Sequence, residues 1–302
     1  MALYIIYLLF QFSAMLNTYD FKISHPDKFK QLRVKDLLIV YYKCPQEEKL
    51  IQLYTHYNEI AFTLSGVKTF YQGLKSYLLT DDTALFIRKT AYFQELDQYK
   101  GWEAMAFYFT DEFLRQVFIE YRDELPLRNL PSPPTEMLIN IKVNETTKTF
   151  IYSMIPIFNQ KIPPSDKLLE LKFKELLYNV FSNPENVEIL SYVNSIVDQY
   201  KTPISQLMEA NFMFNLSIPD FARLTGRSVS TFKREFQELY QTSPGKWLSN
   251  KKLEHAKSLL TKSRKNVNEI AFECGYENNT HFSRTFKNKY GMPPTEYRNN
   301  HR

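Results

Sequence analysis

A chain of 302 residues is long enough for two domains with ordinary cores, and 24 Phe and 21 Tyr argue for well-filled interiors rather than disorder. Charge divides it: residues 200–302 hold 17 Lys and Arg against 9 Asp and Glu, the remainder 21 against 24, which points to two domains with different partners. Two cysteines, Cys44 and Cys274, exclude a disulfide framework and suit reduced thiols in the cytoplasm.

Residues 1–16 form an apolar leader, uncharged until Asp20. The leader has no basic leading segment and no small-residue cleavage site, and it is short for a spanning helix. The expectation is a start assigned too far upstream, with Met15 as the true beginning. From Leu32 to Phe158 the pattern turns to strands. LLIVYYKC, EIAFTLSGVKTFYQG, KSYLL, TALFIRK, AYFQEL and EAMAFYF are short, rich in Ile, Val, Tyr and Phe, and broken by polar or glycine turns. DDT, at 81–83, reads as a tight connection. A last strand-like piece is expected from Ile139 to Tyr152, between two proline-marked breaks. Residues 17–165 thus read as a β-sandwich or barrel with helices.

This front part offers no catalytic or metal constellation. His25 and His56 are far apart, Cys44 is isolated, and neither a phosphate-cradling glycine loop nor a G-x-S-x-G elbow occurs. Neither a cofactor nor an enzyme is expected. Residues 166–200 then read as a helical pair. Leu168, Leu169, Leu171, Phe173, Leu176, Leu177 and Val180 give its first helix a broad apolar side.

Residues 201–302 contain one short unit written twice. IPDFARLTGRSVSTFKREFQELYQTSP is followed by VNEIAFECGYENNTHFSRTFKNKYGMPP. Ile218, Phe221, Ala222 and Gly226 recur as Val267, Ile270, Ala271 and Gly275. After one inserted residue, Phe232, Phe236, Tyr240 and Pro244 recur as Phe282, Phe286, Tyr290 and Pro294. The start signals recur too, Ser217 with Asp220 and Asn266 with Glu269. Each copy reads as a helix-turn-helix, so this domain should be all-α. On the second helix of each copy the aromatic residues face inward. Ser230, Lys233, Arg234 and Gln237 face outward in the first copy; Thr280, Ser283, Arg284 and Lys287 do so in the second. Forked cations, hydroxyls and amides are what base edges require. The alternative for either helix alone is a solvated charged face.

Between the copies, Ser243 caps a helix with Pro244 in its first turn and Trp247, Leu248, Ala256, Leu259 and Leu260 on one stripe. About 18 residues make a rod of roughly 27 Å. That length can hold the reading helices near the ~34 Å between successive major-groove faces.

The words DFARLTGRSVSTFKREF, the Ala256, Leu259, Leu260 triplet and NEIAFECGYENNTHFSRTFKNKYGMPPTEYR resemble the DNA-binding domain of AraC/XylS-type bacterial transcription regulators. The likeness covers nearly a third of the chain. It implies base-facing roles for Ser230, Lys233, Arg234 and Gln237, and for Asn279, Thr280, Ser283 and Arg284. There are two departures: Gln241 stands where the family has glycine, and Lys252 where it has arginine, which puts a bidentate phosphate contact in doubt. The front domain resembles, more loosely, the cupin-like regulatory domains of the same family, and GVKTFYQG and FYFTDEFLRQVF resemble regulators of type III secretion. In this family helical pairs are a frequent subunit contact. Leu169, Phe173, Leu176 and Leu177 are therefore read either as a homodimer contact or as packing against the sandwich.

The expected fold is α+β: a cupin-like β-sandwich or barrel with helices, then two helix-turn-helix units on a linker helix. The expected function is sequence-specific regulation of transcription, as an activator. Its partners would be double-stranded promoter DNA, RNA polymerase, and a small-molecule or protein effector at the front domain. The alternative is a non-specific architectural DNA binder, whose affinity is salt-driven and indifferent to sequence.

Overall fold

The structure is a computed structural model, and it describes residues 15–46, 48–97, 99–197, 202–276 and 278–301. The apolar leader lies outside the described residues, apart from Met15 and Leu16. Backbone contacts divide the chain into two compact units, one running Leu16–Thr202 and the other containing Pro203–Arg302.

The first unit is built on two sheets. Strands are β1 Leu16–Asn17, β2 Lys30–Val34, β3 Leu37–Lys43, β4 Leu50–Thr55, β5 Asn58–Gly66, β6 Lys68–Gln72, β7 Lys75–Leu79, β8 Ala84–Ile87, β9 Thr90–Leu96, β10 Trp102–Phe109 and β11 Leu138–Ile141. One sheet has the order β1-β4-β9-β6-β7 and the other β11-β8-β5-β10-β3-β2. Only β1 with β4 is parallel; the other pairings are antiparallel. The helices are α1 Thr18–Ser24, α2 Asp111–Tyr121, α3 Glu145–Met154, α4 Asp166–Ser182 and α5 Val187–Ile196.

The six-stranded sheet is covered on both faces, which explains why its central strands read as nearly unbroken apolar runs rather than alternating ones. Ile39, Ile60, Phe62, Phe86, Met105, Phe107 and Phe109 share one core with residues of α2, α3, α4 and α5. On the opposite face Trp102 of β10 meets Phe70 of β6, with ring centroids 6.0 Å apart, so the two sheets pack face to face.

EIAFTLSGVKTFYQG is not one strand. It breaks at Gly66, where β5 of one sheet hands over to β6 of the other. Gly66 sits at φ +96°, and a Cβ there would lie 2.2 Å from the carbonyl oxygen of Gly101. No other residue fits that corner. Asp81 of the tight DDT connection accepts the Gly66 amide at 2.8 Å.

Two expectations are corrected. The strand-like piece from Ile139 to Tyr152 is a strand only to Ile141. Asn144 then accepts the Thr147 amide at 2.9 Å and starts α3, in spite of the β-branched Thr146, Thr147 and Thr149. Second, the residues read as a subunit contact lie inside. Leu169 is 3% exposed, and Phe173, Leu176 and Leu177 are 0% exposed, in the core beneath the six-stranded sheet. Phe173 meets Phe107 edge to face at 5.8 Å. Packing against the sandwich is the alternative realised.

The second unit has seven helices among the described residues: α6 Ile204–Asn211, α7 Ile218–Leu224, α8 Val229–Tyr240, α9 Pro244–Lys262, α10 Val267–Glu273, α11 Asn279–Tyr290 and α12 Pro294–His301. Both predicted capping boxes form, Ser217 with Asp220 on α7 and Asn266 with Glu269 on α10. Each copy turns on a glycine at positive φ, Gly226 at +67° and Gly275 at +71°. In both turns an amide reaches back five residues to close the helix, Arg227 to Ala222 at 2.9 Å and Tyr276 to Ala271 at 3.0 Å.

The repeat extends further than the sequence reading. In the first copy Phe232–Phe236 and Phe236–Tyr240 have centroids 5.7 and 4.6 Å apart; in the second, Phe282–Phe286 and Phe286–Tyr290 are again 5.7 and 4.6 Å apart. Trp247 at the start of α9 packs on Phe236 and Tyr240 as Tyr297 of α12 packs on Phe286 and Tyr290. Beyond Trp247, α9 continues and puts Leu253, Ala256 and Leu260 into the core of the second copy. One helix therefore belongs to both cores.

Gln241 occupies the position where the family has glycine, at φ +52° in the left-handed region, while its counterpart Gly291 is at +81°. A side chain in that region costs roughly 1–2 kcal/mol, partly offset by the reduced freedom of its unfolded chain. Gln241→Gly should raise the stability of the helical unit by about 0.5–1 kcal/mol in urea unfolding. A loss of stability would show that the hydrogen bond from Gln241 Nε2 to the Glu238 carbonyl outweighs the strain. Leu177→Ala should cost the β-rich unit about 2–5 kcal/mol, read from Trp102 fluorescence in a Trp247→Phe background. Unchanged stability with a smaller sedimentation mass would restore Leu177 to a subunit contact.

Candidate nucleic-acid interface

The outward rows of α8 and α11 follow from where their aromatic residues are anchored. With Phe232 and Phe236 buried at 0% exposure, the helical period leaves Ser230, Lys233, Arg234 and Gln237 exposed on α8. With Phe282 and Phe286 buried to the same degree, Thr280, Arg284 and Lys287 are exposed on α11, and Ser283 is half-buried. The two rows correspond position by position: Ser230 with Thr280, Lys233 with Ser283, Arg234 with Arg284, Gln237 with Lys287. Ser228 and Asn278 cap the two helices, so the same end of each row begins at an ordered first turn.

Charge on these rows is unspent. Among the described residues no ion pair or side-chain hydrogen bond engages Lys233, Arg234, Arg284 or Lys287. Elsewhere in the unit several cations are committed to structure: Arg227 to Glu235 at 2.6 Å, Lys251 to Glu209 at 2.7 Å, Lys265 to Glu273, and Lys289 to Glu254 at 3.3 Å. Exposed, unpaired guanidinium and ammonium groups on a rigid helix keep their donors available to an anionic or hydrogen-bonding partner.

Asn279 is placed differently from the other predicted residues. It is half-buried, its Nδ2 donates to Asn268 Oδ1, and its Oδ1 is buried with no partner among the described residues. Asn268, in the first turn of α10, therefore orients it. The sequence reading missed Asn268 because the corresponding residue of the first copy is Pro219, so the repeat carried no signal there.

Lys252 turns toward the protein. Its Nζ donates to the Gly275 carbonyl at 3.2 Å, linking the connecting helix to the second copy's turn. A Cβ at Gly275 would come within 2.7 Å of both Lys252 Nζ and the Met213 carbonyl. Beside this link lies a cleft of about 500 Å³ whose polar lining includes Ser249, Lys252, Asn278 and His281. Its walls come from segments some thirty residues apart, so spacing alone could not reveal it. Among the described residues no three His, Cys, Asp or Glu side chains come together as a metal site. No helix among them is long and apolar enough to cross a membrane.

Comparison with known proteins places names on both units. Residues 221–300 match the family model described as a helix-turn-helix domain, and residues 58–192 match the ExsA N-terminal regulatory domain. The virulence regulon transcriptional activator VirF of Yersinia enterocolitica is 23% identical over 236 residues, covering 78% of this chain and 86% of that protein. The regulator ExsA of Pseudomonas aeruginosa is 27% identical over 128 residues, 42% of this chain and 46% of that one. A crystal structure of ToxT from Vibrio cholerae aligns with 87% of this chain and 98% of its own at 16% identity and a TM-score of 0.37. The family, VirF and ExsA are transcription regulators, not enzymes. With an ExsA-type regulatory domain followed by a twice-written helix-turn-helix, the chain belongs to the AraC-type DNA-binding transcription regulators.

Proposed function

We propose that this regulator is a sequence-specific activator whose α8 and α11 enter two successive major grooves on one side of promoter DNA. The observation that carries the reading is the pair of matched polar rows, their cations in no ion pair among the described residues, on two cores joined by one continuous helix. In this reading Arg234 and Arg284 present forked donors to guanine edges. Lys233, Ser230, Gln237, Thr280, Ser283 and Lys287 supply the remaining base and phosphate contacts, and Asn279 reads a base from the orientation that Asn268 gives it. Activation follows VirF, whose name records it, and would act through RNA polymerase bound beside the site.

The β-rich unit is proposed to control activity in response to a protein or small-molecule effector, in keeping with the regulatory domain that it matches. Pairing of two chains is not proposed through Leu169, Phe173, Leu176 and Leu177, which the core occupies. The proposed compartment is the cytoplasm, where promoter DNA is.

Arg234→Ala and Arg284→Ala should each weaken operator binding by ~1–3 kcal/mol and relax base preference in different half-sites, as read by binding to a library of single-base operator variants. Equal loss on every sequence, with a shallower salt dependence, would make these arginines phosphate contacts and favour a non-specific architectural binder.

A further inference from the structure

The space between the two sheets of the β-rich unit holds charge that regulation of DNA binding does not explain. Lys68, the first residue of β6, is 0% exposed. Its Nζ lies 2.9 Å from Cys44 Sγ, 3.4 Å from Gln46 Oε1, and 4.1 Å from the centroid of the Trp102 ring. No carboxylate is hydrogen-bonded to it among the described residues. Lys22, also buried and 3.5 Å from Glu59, is engaged with that carboxylate and with the Tyr108 hydroxyl. Two buried ammonium groups thus share one nearby carboxylate, and the one left over points at sulfur.

Desolvation brings Lys68 down to about 8, against the smaller opposing influence of Cys44, so a real fraction of its amine is unprotonated and nucleophilic near neutral pH. Cys44, just past the end of β3, is half-buried rather than sealed, and a small oxidant can reach it. Cys274 contrasts with it: it is 0% exposed, and burial pushes its thiol up to about 12.

We infer that Cys44 and Lys68 form an oxidant-driven covalent crosslink, a reversible sulfenamide that staples the two sheets together. Peroxide oxidises the Cys44 thiol to a sulfenic acid and is itself reduced, releasing one water. The lone pair of the neutral Lys68 amine then attacks the electrophilic sulfur. The S–N bond forms, the S–O bond breaks, and hydroxide leaves with the amine proton as a second water. The net change is loss of two hydrogens from the protein. Two equivalents of an external thiol reverse it, returning thiol and amine and leaving as a disulfide. Cys44 follows a strand of the six-stranded sheet and Lys68 opens a strand of the five-stranded one, so the bond ties β3 to β6.

The test uses the full-length chain carrying Cys274→Ser, treated with hydrogen peroxide. Intact mass should fall by two hydrogens, trypsin should stop cleaving after Lys68, and fragment spectra should join the Cys44 peptide to the Lys68 peptide. Dithiothreitol should restore both mass and cleavage. Cys44→Ser should abolish the change, and Lys68→Met should leave Cys44 to oxidise without crosslinking. Cys44 recovered as sulfinic or sulfonic acid with Lys68 still cleaved would overturn the inference. So would an unreacted Cys44, or a crosslink retaining an oxygen atom. Because the readout is a mass and a cleavage, it is independent of DNA binding.

Discussion

The rest of the DNA-binding unit depends on the fact that α9 belongs to two hydrophobic cores at once. Trp247 packs into the aromatic cluster of the first copy, while Leu253, Ala256 and Leu260 are buried in the second. A helix gripped only at one end could swivel, whereas one buried at both ends fixes distance and rotation together. The spacing of the two reading helices is then set by backbone geometry, about 1.5 Å per residue, and not by loop length. Lys252, bonded from α9 to the turn of the second copy, adds a polar tie at the same junction.

In the β-rich unit the corresponding constraint is the two-sided burial of the six-stranded sheet. Helices α2, α3, α4 and α5 take one face and the five-stranded sheet takes the other. This buries Leu169, Phe173, Leu176 and Leu177 of α4 while Leu168 and Leu171 stay exposed, and it explains a helix whose amphipathicity alone suits either an internal partner or an external one. The face between the sheets differs in character. It contains Lys22, Glu59, Lys68 and the hydroxyls of Tyr42, Tyr92 and Tyr108 among aromatic rings, and such groups persist in a core only when each finds a counterpart. The Cys44–Lys68 contact is one of those counterparts.

How much was legible in the sequence follows from how local each signal was. The helical repeat was plain because cap, glycine turn and aromatic spacing lie within one copy. The partnership of Trp247 with Tyr297 was not, since α9 runs on where α12 ends and the sequences diverge after the shared proline. Most central strands could be read from Ile, Val, Tyr and Phe, but β2 and β4 were missed because KQLRV and LIQLYT mix polar residues into short segments. Lys68 sits in a stretch read as strand, where a lysine ordinarily faces solvent, and is wholly buried. Only the crossing of β6 behind Trp102 decides that, and no neighbour in sequence announces it. The outward rows of α8 and α11 were readable from period alone, whereas the orientation of Asn279 depends on Asn268, eleven residues away.

The most direct measurement of the central claim is binding affinity for an operator in which ~5 base pairs, about half a helical turn, are inserted between the two segments contacted by one chain. A rod held in both cores cannot follow that rotation, so affinity should fall at least ~10-fold, towards that of a single unit. Affinity that survives the insertion unchanged would mean that the two units reach DNA independently, and the shared helix would not set their spacing.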